Sequence, residues 1–173
     1  MNSRPAPPTQ DTAAIDALTA GLRNRLFFRL YQTANLLNKT GNRALEDHGV
    51  TTQQWAILGA LADPRSEGGI SVGDLAALLM VSRQNLTGVL SRLESRGLIA
   101  RTVDVRDKRS RFICLTGEGL QRWAEMQPQI NEFYQASLAD FSTSDLIAAM
   151  HYLERLRHNF VVLEGGQGEA EGD

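Results

Sequence analysis

The residues able to do chemistry in this chain are concentrated between Ser82 and Arg111. From Ser82 onward, Leu86, Val89, Leu90 and Leu93 form an apolar stripe at helical spacing. Setting that stripe aside leaves Ser82, Arg83, Gln84, Asn85, Thr87, Gly88, Ser91 and Arg92 on the open side of the helix. An arginine can fork onto guanine, a Gln or Asn onto adenine, and a threonine methyl can meet the methyl of thymine. Gly88 lets a backbone or a phosphate come close, and the positive end of the helix favours a phosphate. A helix chosen for surface stability alone would show Glu and Lys pairs at i,i+4; this one does not. A second cluster, Asp104–Arg109, makes a compact cationic turn in which Arg106 or Arg109 can enter a narrow A·T minor groove. Asp104 and Asp107 would repel phosphate if they faced it, so they are read as orienting the neighbouring arginines. The predicted DNA-contacting set is therefore Ser82, Arg83, Gln84, Asn85, Thr87, Ser91, Arg92, Arg106, Lys108 and Arg109.

Total charge, −2, argues against a polyanionic partner, but its distribution argues for one. Residues 82–111 hold eight basic and three acidic side chains, a local +5, and the rest of the chain holds ten and seventeen, or −7. A basic stripe on an acidic body attracts phosphate to one face. Charge alone fits a solvated hairpin equally well. At 173 residues and 42% apolar content the chain has the size of one soluble domain with extra helices. It has no apolar run of membrane-spanning length and no signal-like N-terminus, so a cytoplasmic location without membrane attachment is expected. A single cysteine, Cys114, closes no intramolecular disulfide and belongs to no zinc pattern.

The elements that would position the basic segment are mostly helical. Residues 1–12 read as a disordered arm. A helix is predicted from about Asp16 to Lys39 on Leu22, Leu26, Leu30, Ala34 and Leu37, and a short one punctuated by Gly41 and Asp47-His48-Gly49 follows. Thr51–Gln54 reads as a capping box before Trp55, Leu58 and Leu61. Ser71–Asp74 opens a helix with Leu75, Leu78 and Leu79 inward, and after a break at Met80-Val81, Ser82 caps the reading helix, which Gly97 stops. Strand-like runs at Leu98–Val103 and Arg111–Leu115 flank the cationic turn. Thr116 caps a long helix carrying Leu120, Trp123, Met126 and Ile130, bent at Pro128. Ser142–Asp145 caps the last, with Leu146, Met150, Leu153, Leu156 and Phe160 as its stripe, before a flexible acidic tail at 164–173. The fold class is mainly α. A helix pair joined by a short turn and followed by a basic hairpin is a winged helix-turn-helix.

From Ser71 to Gly119 the chain resembles the MarR (multiple-antibiotic-resistance regulator) family. The matching residues are Leu75-Ala76, Ser82, Leu93-Glu94, Arg96–Arg101, the wing Asp104–Arg109 and Leu115–Gly119. Thr51–Leu61 is similar to that family's second-helix region, and the likeness spans roughly residues 20–162. It implies dimerisation helices at 13–50 and 116–163 around a DNA-binding domain at 51–115. It further implies a homodimer with its reading helices in successive major grooves, and a repressor relieved by small aromatic ligands. Pairing also follows from the apolar stripes of the first and last helices, which lie outside the winged core and need a partner surface. Two-fold symmetry predicts a pseudo-palindromic duplex operator with half-sites about 10 bp apart or a multiple of that.

A ligand site for an aromatic acid or its CoA thioester is predicted from Arg23, Arg25, Phe28, Arg29, Tyr31, Trp55 and Trp123. Apolar walls with a few cations suit an aromatic carboxylate, and the arginines suit phosphates; Phe27 extends the same aromatic run. Each aromatic taken singly is equally well explained as core. The stretch Arg29–Gln32 resembles the family branch that senses hydroxycinnamates, benzoate-type acids or their CoA thioesters. His151 and His158 lack the carboxylate or cysteine that would complete a metal set. With no phosphate loop and no nucleophile triad, neither a cofactor nor an enzymatic activity is expected. Two rival readings are a winged-helix protein-interaction adaptor without sequence-specific DNA binding, and a small enzyme using Cys114.

Overall fold

The structure, a computed structural model, describes residues 10–103 and 111–168. The chain divides into two compact units, Met1–Ile130 and Asn131–Asp173. The first begins with helix α1, Gln10–Ala44, a 3-10 turn at Glu46–His48, and helix α2, Thr52–Ala62. A second 3-10 turn at Pro64–Ser66 leads to strand β1, Ile70–Ser71, and the short helix α3, Val72–Leu78. Helix α4, Arg83–Ser95, strands β2, Ile99–Val103, and β3, Arg111–Leu115, and the start of helix α5, Gly117–Ser137, complete it.

Local chemistry explains most boundaries. Thr51 and Gln54 form the expected reciprocal box: the Gln54 N–H donates to Thr51 Oγ1 at 3.2 Å, and the Thr51 N–H to Gln54 Oε1 at 3.1 Å. Helix α4 ends in a Schellman motif, with Gly97 at φ 71°, its N–H on the Glu94 carbonyl (2.9 Å) and the Leu98 N–H on the Leu93 carbonyl (3.0 Å). Antiparallel strands β2 and β3 pair Ile99 with Leu115 through Val103 with Arg111. The core is built from Ile57, Leu58, Leu75, Leu86, Leu90, Leu93, Leu98, Ile99, Ile113 and Met126, so α2, α3, α4, the sheet and α5 share one apolar interior. Three helices around a small antiparallel sheet, with α3 and α4 joined by a tight turn, make a winged helix-turn-helix.

Several sequence expectations need correction. Helix α1 starts at Gln10, within the stretch read as an arm, and runs past Lys39 through Gly41 to Ala44, where a separate short helix punctuated by Gly41 was expected. The reason is close packing: a Cβ at Gly41 would lie 2.5 Å from Thr52 Cγ2, so glycine lets α1 meet the start of α2. Asn42 Oδ1 accepts the Thr52 N–H at 2.8 Å at the same place, and Asn38 accepts from the Thr52 hydroxyl. Strand β1, two residues pairing Ile70 with Ile113 and Ser71 with Phe112, was not foreseen. Leu78 faces solvent, while Ala76 is buried beside Leu75. On α5 the inward line is Gly119, Trp123, Met126 and Ile130, and Leu120 is exposed, because Gly119 abuts the Leu98 carbonyl where a Cβ would sit at 2.0 Å.

The second unit holds the end of α5 and helix α6, Thr143–Gly168. Ser142 caps it: its Oγ accepts the Asp145 N–H (3.2 Å), and Asp145 Oδ2 accepts the Ser142 N–H (2.9 Å). The Ser142 hydroxyl also donates to Asp145 Oδ2 (2.6 Å), and this bond, with that from the Ser142 N–H, holds the Asp145 carboxyl below its ordinary pKa. Helix α6 continues to Gly168, past the point where a flexible tail was expected to begin. Of its stripe, Met150, Leu153 and Phe160 are exposed in the chain, and Leu146 and Leu156 are half-buried.

Candidate nucleic-acid interface

The candidate DNA-contacting surface is built by α4. Its N-cap, Ser82, has extended backbone, and its Oγ accepts the Asn85 N–H at 3.2 Å. Leu86, Val89, Leu90 and Leu93 anchor one side in the core, which turns Arg83, Gln84, Asn85, Thr87, Ser91 and Arg92 outward, all exposed. No acidic side chain occupies the first turn. Ser82 thus holds a structural post within the predicted contact set. Thr87 and Ser91 donate their hydroxyls into their own helix, to the Arg83 carbonyl (2.7 Å) and the Thr87 carbonyl (3.1 Å). This fixes their rotamers and leaves each oxygen as an acceptor. The Arg83 guanidinium folds back over α3, where a Cβ at Gly73 would come within 2.9 Å of Nη2. Around Gly88 there is open space, as close approach of a ligand backbone requires.

The other cations of the basic segment divide into committed and uncommitted groups. Arg96 donates from Nη1 to the Gly49 carbonyl (2.7 Å) and from Nη2 to the His48 carbonyl (3.4 Å). Arg101 pairs with Glu94 at 3.1 Å. These two were counted in the +5 stripe but serve contacts inside the protein. Arg106, Lys108 and Arg109, with the orienting role given to Asp104 and Asp107, lie outside the described residues.

Sequence reasoning missed the state of the turn between α3 and α4. Met80 has φ 54°, the left-handed region that glycine usually fills after a helix. Its N–H donates to the Ala77 carbonyl (3.2 Å) and the Val81 N–H to the Ala76 carbonyl (3.1 Å), so the turn closes as a C-cap without its usual residue. The break at Met80-Val81 was visible in the sequence. Its handedness had no signal there.

The predicted ligand residues fall into two groups. Arg23, Arg25, Phe28, Arg29 and Tyr31 are exposed on α1. At 100° per residue Arg25, Phe28 and Arg29 share a face, and Arg23 points to the opposite side. Trp55 and Trp123 are half-buried against the core. Trp123 lies over Gly59, one turn beyond Trp55, and a Cβ there would meet its Cη2 at 2.9 Å. The two indoles therefore share a face of α2. Open grooves lie elsewhere among the described residues, including one of about 340 Å³ at the α1–α2 junction, lined by Asn42, Arg43, Glu46 and Val50, and one of about 430 Å³ between the end of α2 and β3, lined by Leu61, Pro64, Cys114 and Leu120. Cys114 is half-buried, with Sγ 3.6 Å from both the Gly68 carbonyl and Thr102 Oγ1. His151 sits edge-on against Tyr152, ring centroids 5.6 Å apart. No helix among the described residues is long and apolar enough to cross a membrane.

Comparison with known proteins agrees with this geometry. The MarR family profile matches residues 48–110, a stretch that takes in α2, β1, α3, α4 and β2. The transcriptional activatory protein BadR of Rhodopseudomonas palustris is 52% identical over 146 residues, covering 84% of this chain and 83% of that protein. The homoprotocatechuate degradative operon repressor of Escherichia coli is 36% identical over 107 residues, 62% of this chain and 70% of the repressor. Among solved structures, NadR in complex with 4-hydroxyphenylacetate superposes with a TM-score of 0.64 at 26% identity, covering 90% of this chain and 97% of NadR. On its winged helix-turn-helix and its 52% identity to a transcriptional activatory protein across most of both chains, the protein belongs to the MarR family of transcriptional regulators.

Proposed function

We propose that the protein is a homodimeric, ligand-responsive regulator that binds a pseudo-palindromic duplex operator through α4. The observation that carries this reading is the composition of α4's outer face. Arg83, Gln84, Asn85 and Arg92 are all exposed, and the capped first turn holds no acid. The Arg106–Arg109 wing would add minor-groove or phosphate contacts, with 51–115 as the DNA-binding domain and α1, α5 and α6 as the flanking helices. Pairing is supported by the apolar side chains left in water on α1 and α6, among them Leu22, Leu26, Ile147, Met150 and Leu153. Each such side chain taken out of water contributes roughly 1.5–3 kcal/mol, enough in sum to hold two copies together.

The effector we propose is a small aromatic acid, free or as its CoA thioester. Arg25, Phe28, Arg29 and Tyr31, open in one chain, would be covered by the second copy, with Trp55 and Trp123 as an aromatic wall; Arg23, on the opposite side of α1, would fall outside that site. NadR's 4-hydroxyphenylacetate and the pathway in the name of the Escherichia coli repressor support an aromatic acid. The sign of control follows from operator position, since one bound dimer blocks a promoter it overlaps and assists one it adjoins. The relatives include an activatory protein and a repressor. The winged-helix adaptor reading makes the opposite forecast for DNA.

The test is fluorescence anisotropy on the duplex upstream of the chain's own gene, across a salt series and with 4-hydroxyphenylacetate, benzoate and p-coumaroyl-CoA added. Selective binding that falls steeply with salt and is altered by one of the three ligands is expected. Equal affinity for scrambled DNA would leave the adaptor. Selective binding unmoved by all three, with no rise in melting temperature, would remove the aromatic effector.

A further inference from the structure

The C-terminal end of the reading helix is tied to both neighbouring helices. On one side, the fork of Arg96 holds two successive carbonyls, those of His48 and Gly49, 48 and 47 residues away in the chain. Those carbonyls end the 3-10 turn that joins α1 to α2. Gly49 there takes φ 61° and returns its N–H to the Glu46 carbonyl at 2.8 Å. Leu45 and Val50, on either side, are buried in the core. On the other side, the Thr116 hydroxyl donates to the Gly97 carbonyl (2.6 Å) and accepts the Gly119 N–H (3.0 Å), so the start of α5 grips the residue after Arg96.

The core stripe of α4 sets which side faces inward, but leucines and valines tolerate a few degrees of roll. At the roughly 6 Å radius of helical side chains, a roll of about 10° moves a base-facing group by about 1 Å, a large fraction of hydrogen-bond tolerance. A rigid fork bound to a structured turn removes that freedom. A lysine, a single point charge on a flexible stem, fixes less.

We infer that Arg96 is a positioning residue for DNA recognition. It sets the roll and pitch of α4 against the α1–α2 junction and touches no nucleotide. This rests on the DNA-binding reading and adds a consequence to it. If copies pair through α1, the setting of α4 on that junction fixes how far apart the two reading helices sit. Arg96 then governs tolerance to half-site spacing, whereas Gln84 and Asn85 govern base preference.

The experiment uses the full chain and its selected operator, with the half-site separation native, one base pair longer and one shorter. Wild type should favour the native spacing. In Arg96→Gln that preference should fall at least fivefold, with the ranking of single-base substitutions in each half-site retained. Arg96→Lys should fall between the two, and it carries the test if the glutamine variant does not fold. Unchanged spacing preference in both variants overturns the inference and leaves the DNA-binding reading intact. Affinity lost equally at all three spacings, in step with a lower active fraction, assigns Arg96 to stability and also overturns it. A wild-type chain that selects no duplex overturns both.

Discussion

Helices α4 and α6 carry the same sequence signal with opposite outcomes. In α4, Leu86, Val89, Leu90 and Leu93 recur at helical spacing, and none exceeds 3% exposure. In α6, Met150, Leu153 and Phe160 recur in the same way and are 63%, 55% and 45% exposed. Periodicity states that a face needs cover, and it does not state whose. Cover within the chain makes α4 part of a fixed platform. Its absence among the described residues makes α6 a surface for a second copy in the proposed dimer.

Substitutions can break or sharpen that contrast. The largest effect is expected inside α4, where Leu90→Ala should cost about 2–5 kcal/mol by leaving a cavity. Urea unfolding should show that loss at every protein concentration. Leu153→Glu in α6 should leave the α4 lobe folded and shift the monomer–dimer equilibrium at least tenfold, or about 1.4 kcal/mol, toward monomer in analytical ultracentrifugation. An unshifted equilibrium would place the paired surface elsewhere. Asn85→Ala on the open face of α4 should cost about 1–3 kcal/mol of DNA binding and relax selectivity at one position. Arg109→Ala should weaken all sequences alike and lower the salt slope by about one. Identical binding profiles for the two variants would erase the division between reading and clamping. Met80→Gly should raise stability by about 1 kcal/mol, since a side chain in left-handed backbone costs roughly 1–2 and glycine returns part of that as chain entropy. The smallest effect concerns the half-buried Asp63. Its carboxyl accepts from the Arg65 side chain and N–H, which lower its pKa from 3.8 to about 2. That contribution is complete above the ordinary value and is lost as pH falls from about 4 through about 2. In Asp63→Asn the urea midpoint should therefore depend less on pH across that interval.

Where the chain's own neighbours determine structure, the sequence was legible. Thr51, Ser82 and Ser142 cap as their types and spacing require, and Gly97 ends α4 through bonds made within five residues. Elements that depend on distant partners were not. Strand β1 exists because Ile70 and Ser71 find Ile113 and Phe112, more than forty residues away. Leu78 was taken as inward because it lies three residues after Leu75. The buried set Leu75, Ala76 and half-buried Leu79 instead centres the inner face on the other flank, about 100° from Leu78. The candidate site divides along the same line. Outward projection of Gln84 and Asn85 follows from one helix's periodicity. The withdrawal of Arg96 and Arg101 from the phosphate-facing stripe required knowing that Glu94 and two carbonyls near residue 49 come within reach.

Helix α1 is 35 residues long, and Asn38 and Asn42, close to one end, hydrogen-bond to the start of α2. Those lengths give it mechanical advantage. Leu18 lies about 35 Å along the axis from the joint at Gly41, so a sideways displacement of about 3 Å there corresponds to a tilt of only about 5° at the joint. A partner copy or ligand that pressed near Leu18 would need little force to tilt α1 at the joint, and the joint would convert a coarse motion into a fine one. The geometry is that of a gear reduction, in which ångström-scale rearrangement at the far end of α1 arrives at Thr52 as an adjustment of a few degrees.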